Sequence, residues 1–240
     1  MVLNITNLHI LRYLPTCRLY LLERYTIDNQ RCTHTASTSR YITSPETVMD
    51  MDIKRIKERG FLNYFSEVEA ANLSDTFWDI ALVQYLETSV INSPYFNLYL
   101  ASQIHDADDA LFTCGYKVND LITVIGDVHH IFPKKYLIKN GVNEKSKYNQ
   151  IANYTYLDTQ VNKAVRDDSP NIYFSKVFEQ CETGIAVYGN ITDKALLLKN
   201  LHQNCIPETI LQMEHTDYEE FLAERRKLMA KKIKKYYYSL

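Results

Sequence analysis

The stretch Asp127-Val128-His129-His130-Ile131-Phe132-Pro133 decides how this sequence of 240 residues is interpreted. Neighbouring residues on a strand point to opposite faces, so a purely structural pair rarely needs two adjacent imidazoles. At a strand end that runs into a loop, one imidazole can hold a metal ion while the next activates a water molecule. Pro133 has a fixed φ and no N–H donor, which restricts the loop that follows. The stretch therefore predicts a strand that leads into a metal-dependent hydrolytic site.

Two asparagines downstream extend this candidate site. Asn153 opens a second predicted strand, and Asn162 follows nine residues later, in a helix predicted from about Thr159. From that helix, Asn162 can project its amide oxygen back toward the first strand as a neutral ligand. Neutral nitrogen and oxygen ligands with open positions suit Mg²⁺ or Mn²⁺, and the window contains no cysteine ligand. We therefore predict one divalent cation, with Mg²⁺ preferred to Mn²⁺, while the division of labour between the two histidines stays open at this point.

Two further residues each allow two interpretations. Asp127 is either a carboxylate that orients a histidine or simply a turn residue. Lys163, directly after Asn162, either contacts the scissile or an adjacent phosphate or is a solvated lysine.

The composition is that of an ordinary globular protein, with 46% apolar and 23% charged residues. The net charge of -2 gives no global attraction to nucleic acid, so such binding would need a local patch. The five cysteines are odd in number and include no closely spaced pair, which favours a reducing, cytoplasmic location over a disulfide framework. No apolar run approaches the roughly 20 residues of a membrane span, so no membrane partner is expected.

The helix caps and the Pro and Gly residues along the chain predict an α+β fold that is predominantly α-helical, with a helical bundle around a small strand-containing motif. Residues 1–40 stay unassigned, although Leu8–Tyr25 could form one helix. Residues 41–125 are predicted to be a helical supporting region, 126–175 the site-bearing motif and 176–240 a C-terminal helical region. Helices are predicted to start at three Ser-containing caps, namely Ser44-Pro45, Ser74-Asp75 and Ser93-Pro94.

Two further expectations concern the segment that joins the two strands and, separately, the last helix. The Lys/Asn/Gly-rich segment between the two predicted strands is interpreted as a loop. A capping box over Thr216–Glu219 is predicted to start the last helix, with Tyr218, Phe221 and Met229 on its apolar stripe. Arg225, Arg226 and the lysines after them are assigned to the other face, which is either solvated or in contact with DNA.

The site residues carry a family resemblance. Asp127–Pro133 followed by Asn153 and Asn162 resembles the ββα-metal finger of HNH (His-Me finger) nucleases. The resemblance implies that His130 is the general base and that His129 and Asn162 are the metal ligands. It also implies that Asn153 braces the loop that carries the base.

The resemblance extends over about five-sixths of the chain, from about Arg40 onward. Four segments are together similar to the C-terminal half of GmrSD-type restriction endonucleases, namely Ser93–Asn97, Gly126–Pro133, Asn149–Tyr154 and Phe221–Arg226. Those relatives carry an N-terminal nucleotide-dependent domain with an Asp-Gly-Gln-Gln-Arg-like motif, which this sequence lacks along with a P-loop. The chain thus resembles a detached or truncated nuclease half, to which a separate nucleotide-binding or specificity subunit could belong.

Two functions from different classes follow from these observations. The first is a metal-dependent DNA endonuclease of restriction or phage-defence type, which hydrolyses phosphodiester bonds. The alternative is a non-catalytic DNA-binding or interaction remnant of a longer restriction enzyme. The intact His129, His130 and Asn162 favour the endonuclease, and the missing nucleotide-dependent domain favours the remnant.

Overall fold

The computed structural model describes residues 45–123 and 128–239. These residues are predominantly helical and contain one sheet of two strands, which confirms the predicted α+β class in which helices predominate. They divide into two compact units, the first comprising the described residues up to Phe77 and the second Trp78–Ser239. The unassigned segment 1–40, with its predicted helix, lies outside the described residues. The other predicted boundaries stay predictions.

The first unit is a helical hairpin. Helix α1 covers Pro45–Arg59 and helix α2 covers Phe61–Asn72, so the helix predicted after Ser44 is confirmed. Gly60 separates them with a φ of 82°, a conformation that glycine adopts without strain from a β-carbon. A salt bridge of 2.6 Å between Arg59 and Glu67 links the two helices across this turn.

The helices predicted from Ser74 and Ser93 are also present. The first contains a π-helical turn at Phe77–Ala81, which the sequence did not indicate, followed by α3 at Leu82–Tyr85. The second is α4 at Pro94–His105, and the short helix α5 at Val118–Thr123 follows it. Aromatic side chains on these elements are buried, namely Trp78, Phe96 and Tyr99.

The site-bearing motif consists of two short strands and a helix. Strand β1 (Val128–His130) pairs antiparallel with β2 (Tyr154–Tyr156), and α8 (Thr159–Val165) follows β2. The segment between the strands was predicted as a loop, and this is wrong. It contains two short helices and a 3₁₀ turn, namely α6 at Lys134–Lys139, α7 at Lys145–Tyr148 and Ile151–Asn153.

The remaining elements are helical and cover the motif. Helix α9 is Pro170–Thr183 and α10 is Lys194–Gln203. Two 3₁₀ turns, Glu208–Gln212 and His215–Asp217, lead into the long helix α11 at Tyr218–Tyr238. The predicted capping box is wrong, because the observed box joins Glu214 and Asp217 and caps the second 3₁₀ turn.

Helix α11 carries the predicted apolar stripe, and Tyr218, Phe221 and Met229 are buried. The sequence-based assignment of Arg225 to the opposite face is wrong. Arg225 is fully buried, because it lies four residues from both Phe221 and Met229 and therefore on the same stripe.

Two global properties of the described residues bear on the sequence predictions. No helix within residues 45–123 and 128–239 is both long enough and apolar enough to cross a membrane. Three cysteines in this part of the chain are free thiols, namely Cys114, Cys181 and Cys205.

Candidate active site

The antiparallel strand pair positions the two histidines. His129 lies opposite Thr155 and His130 opposite Tyr154, and the side chains of adjacent residues leave the strand on opposite sides. His129 is 3% exposed and contacts α8, whereas His130 is half-buried and contacts the segment between the strands. The doublet therefore divides into one interior and one more accessible imidazole.

The interior imidazole meets the amide predicted as its partner. Nδ1 of His129 lies 2.7 Å from Oδ1 of Asn162. Asn162 is held on α8 by the start of that helix, where the Asp158 carboxylate accepts hydrogen bonds from the backbone N–H groups of Gln160 and Val161. The structure thus brings together two side chains that are 33 residues apart in the sequence.

Burial fixes the protonation of His129. It lowers the pKa of His129 from its ordinary value of 6.5 to about 4, so the ring is neutral at pH 7. An amide oxygen can only accept a hydrogen bond, so Nδ1 carries the hydrogen and Nε2 carries the lone pair. Nε2 is buried and has no hydrogen-bond partner among the described residues. The site therefore contains an unused nitrogen lone pair.

The more accessible imidazole has a different partner. Nε2 of His130 lies 3.0 Å from Oδ1 of Asn149, and its ring packs edge-on against Tyr154 with a centroid separation of 5.0 Å. Burial lowers the pKa of His130, and the positive charge of Lys134 lowers it further. The Asn149 oxygen assigns the ring hydrogen to Nε2, which leaves the Nδ1 lone pair to accept a proton.

Asn153 joins the strands to the turn after the histidines. Its side chain is 0% exposed and accepts a hydrogen bond from the backbone N–H of Phe132 at 2.8 Å. The same amide donates to the backbone carbonyls of Phe132 at 3.1 Å and Tyr148 at 3.2 Å. The backbone carbonyl of Asn153 also accepts from the N–H of Ile131. Asn153 therefore fixes the backbone immediately after His130.

The other predicted site residues differ in their placement. Lys163 is exposed on α8 beside Asn162, where either of its two interpretations holds. Asp127 lies outside the described residues, so its predicted role stays a prediction.

Three residues outside the predicted site also contact this region. Asn149 binds His130, and Tyr173 on α9 donates from its hydroxyl to the backbone carbonyl of Ile131 at 2.6 Å. Arg225 on α11 donates to the carbonyls of residues 152 and 154. Asn149 lies in a polar segment, where no periodic pattern indicates its contact with His130. For Arg225 a signal was present, because its helical spacing from Phe221 and Met229 is that of the buried stripe.

The donor set determines which metal ion this site could hold. Within residues 45–123 and 128–239, no three His, Cys, Asp or Glu side chains come together as a metal-binding group. The available pair is the neutral imidazole of His129 and the amide oxygen of Asn162, which face each other through Nδ1 and Oδ1 at 2.7 Å. Because the Nε2 lone pair lies on the other side of the ring, these two side chains could hold one ion together only after the ring hydrogen moves from Nδ1 to Nε2. Such a pair fits a divalent cation that keeps open positions for water or phosphate oxygens, and the nitrogen ligand makes Mn²⁺ a good candidate besides Mg²⁺.

The burial of a neutral histidine predicts acid sensitivity in the metal-free protein. Because the pKa of His129 is lower in the folded state than in the unfolded chain, the unfolded state binds more protons between pH 6.5 and about 4. Stability is therefore lost as the pH falls through this window, by about 3 kcal/mol in total for a shift of this size. Urea unfolding of wild type and His129→Gln, measured from pH 7.5 to 4.5, should show a shallower pH dependence in the variant.

A matched control separates this effect from general acid denaturation. His202 is exposed at the end of α10, so His202→Gln should keep the wild-type pH dependence. Identical slopes for wild type and His129→Gln would show that His129 does not titrate as described.

Comparison of the chain with protein-family models, curated proteins and solved structures finds no match.

Proposed function

We propose that this chain is a metal-dependent DNA endonuclease of restriction or phage-defence type, built on an HNH ββα-metal finger. The observation that carries the proposal is the 2.7 Å contact between His129 on β1 and Asn162 on α8, beside His130. The order β1, β2 and α8 is that of two strands followed by a helix. A histidine that served packing alone would not need an amide partner and a second imidazole next to it.

His130 is the general base in this proposal. Its Nδ1 accepts a proton from a water molecule, while the Asn149 oxygen holds the hydrogen on Nε2 and orients the ring. The water oxygen then forms a bond to phosphorus and the bond from phosphorus to the 3′ oxygen breaks. The leaving oxygen takes a proton from solvent. The products carry 5′-phosphate and 3′-hydroxyl ends, as the family resemblance implies.

His129 and Asn162 would hold one divalent cation, Mg²⁺ or Mn²⁺. When bound, the cation supplies Lewis-acid stabilisation of charge on the scissile phosphate and on the departing 3′ oxygen. The neutral state of His129 favours this role, since only the unprotonated imidazole has a lone pair to offer. Asn153 keeps the backbone after His130 in place, so that the base and the metal-holding pair stay in register.

DNA is the proposed partner, and its contacts would be made through its phosphates. Near the site, the exposed Lys163 of α8 and the exposed Lys134 and Lys135 at the start of α6 have no carboxylate within 4.0 Å among the described residues. Phosphate contacts position a nuclease without selecting a sequence. The choice of target would therefore come from a separate nucleotide-binding or specificity subunit.

The proposal is tested by nicking of supercoiled plasmid, both unmodified and base-modified, with Mg²⁺, Mn²⁺ or EDTA. Wild type is expected to nick with either metal and to stop in EDTA. The double variant His129→Ala/Asn162→Ala removes both candidate ligands, so we expect a loss of at least about 100-fold in rate and of Mn²⁺ binding. The matched control is His202→Ala/Asn140→Ala, which removes an exposed histidine and an exposed asparagine and should nick like wild type.

Two outcomes would contradict the proposal. Undiminished nicking in EDTA, or in the double variant, would exclude a metal held by this pair. Absence of nicking by wild type on both DNA types, with DNA binding retained, would instead favour a non-catalytic DNA-binding remnant.

A further inference from the structure

Arg225 is the largest fully buried side chain among the described residues, and it carries a positive charge. Its guanidinium donates from Nη1 to the backbone carbonyls of Ala152 at 2.9 Å and Tyr154 at 2.7 Å, and from Nη2 to that of Asn204 at 3.1 Å. Charged side chains are almost never fully buried unless they are paired. In the described part of the chain, however, no carboxylate oxygen lies within 4.0 Å of this group.

The ionisable neighbours of Arg225 do not supply a negative charge either. Burial raises the pKa of the Cys205 thiol to about 11 and raises the pKa of the Tyr99 hydroxyl well above its ordinary value. Both groups are therefore neutral at pH 7. The Nη1 and Nη2 groups of Arg225 donate to backbone carbonyls alone, while its buried Nε–H has no hydrogen-bond partner among the described residues. The position of the guanidinium is therefore set by the three carbonyls that bind Nη1 and Nη2.

Two of the three carbonyls flank Asn153. Ala152 precedes it and Tyr154 follows it, so Nη1 of Arg225 donates to the carbonyls on both sides of the bracing asparagine, while Nη2 donates to that of Asn204. Asn153 in turn binds the N–H and the carbonyl of Phe132, two residues after His130. A continuous chain of hydrogen bonds thus connects α11 to the backbone that carries the candidate base.

Other residues on the same face of α11 contact the same turn. The rings of Tyr218 and Phe221 lie 5.1 Å and 4.9 Å from the ring of Phe132, measured between centroids. The Tyr218 hydroxyl also donates to the carbonyl of Lys147 at 3.0 Å. Since Phe132 is already packed by these two rings, what Arg225 adds is the orientation of the carbonyls around Asn153.

We propose that Arg225 is a positioning residue for the candidate active site, which holds the Asn153 segment and through it the backbone after His130. The catalytic part of this inference rests on the proposed nuclease function. An apolar side chain of similar length would fill the same space without burying a charge. The directed hydrogen bonds of the guanidinium are therefore the property that distinguishes arginine at this position.

The test compares Arg225→Met with Arg226→Met. Arg226 is the adjacent, largely buried arginine, whose ion pair is with Glu87 at 3.7 Å, so it offers a matched control. Amide hydrogen exchange is measured at Phe132, whose N–H is bound by the Asn153 side chain, and at Ile131, whose N–H is bound by the Asn153 carbonyl. Val177, in the buried part of α9, reports global unfolding.

In Arg225→Met we expect exchange at Ile131 and Phe132 to rise at least about tenfold more than at Val177. Nicking should lose at least about tenfold in kcat, with KM for DNA within about twofold of wild type. Arg226→Met should leave the exchange at Ile131 and Phe132 relative to Val177, and the kcat of nicking, as in wild type. Should Arg225→Met fail to fold, Arg225→Lys keeps the charge without the rigid planar guanidinium, whose Nη2 anchors it to the Asn204 carbonyl while Nη1 binds the carbonyls around Asn153. It should show the same local rise in exchange and the same kcat loss.

Equal amide exchange rates at Phe132 in wild type and Arg225→Met would overturn the inference. An increase in exchange at Phe132 no larger than the increase at Val177 would also overturn it. A KM increase with unchanged kcat would equally exclude a positioning role. If wild type cleaves no DNA, the nuclease proposal fails, while the exchange measurement still decides whether Arg225 holds the Asn153 segment.

Discussion

His130→Ala is expected to lower the rate of plasmid nicking by about 10²- to 10⁴-fold, the usual contribution of a positioned general base. The half-buried His130 ring is neutral at pH 7, and its hydrogen is held on Nε2 by Asn149. The adjacent imidazole of His129 is buried and bound to Asn162, so it does not replace His130 as the base in this arrangement. Single-turnover nicking with saturating Mn²⁺ measures the loss at the chemical step.

Two controls make this result specific to the base. Mn²⁺ affinity, measured by titration calorimetry, should stay within about twofold in His130→Ala, because His130 is not in the metal-holding pair. His202→Ala, which alters an exposed histidine, should nick at the wild-type rate. Nicking by His130→Ala within threefold of wild type would assign the proton transfer to another group.

Asn153→Ala is expected to lower the free energy of unfolding by about 3 kcal/mol, which corresponds to a drop in Tm of about 10 °C for a domain of this size. The side chain makes three buried hydrogen bonds, one to the N–H of Phe132 and two to the carbonyls of Phe132 and Tyr148. Alanine leaves the buried N–H and carbonyl of Phe132 without a side-chain partner, while the Tyr148 carbonyl keeps a contact of 3.4 Å with the Tyr218 hydroxyl. Buried groups without a partner cost about 1–3 kcal/mol each before relaxation. Urea unfolding in the absence of metal measures the change.

Asn140→Ala is the matched control for this prediction. Asn140 is exposed, and its side-chain amide makes a single hydrogen bond of 2.9 Å to the carbonyl of Tyr136. Exposed substitutions of this kind change stability by no more than about 0.5 kcal/mol. A loss in Asn153→Ala as small as that in Asn140→Ala would mean that water replaces the buried hydrogen bonds.

The elements that could be predicted are those with a local signal. The helices after Ser44, Ser74 and Ser93 have polar caps followed by helical spacing, and all three are present. Strand β1 lies in the predicted strand that contains the histidine pair, and β2 lies in the second strand predicted from Asn153. In each case the information lies within about one turn or one strand of the chain.

What could not be predicted depends on contacts between distant segments. Helices α6 and α7 are six and four residues long, too short to be stable alone, so packing rather than periodicity determines them. Asn149 meets His130 only because the segment between the strands folds back. The burial of Arg225 was misjudged because its charge was given more weight than its spacing from Phe221.

The long sequence separation between Arg225 and its carbonyl partners has a consequence for the order of synthesis. The carbonyl groups of Ala152 and Tyr154 are 73 and 71 residues upstream of the arginine that binds them. Both strands, His129 and Asn162 therefore leave the ribosome well before α11 is available. Until α11 is translated and docks, those carbonyls lack the arginine that binds them in the folded chain. His129 and His130 are thus synthesised well before Arg225, which binds the carbonyls around Asn153.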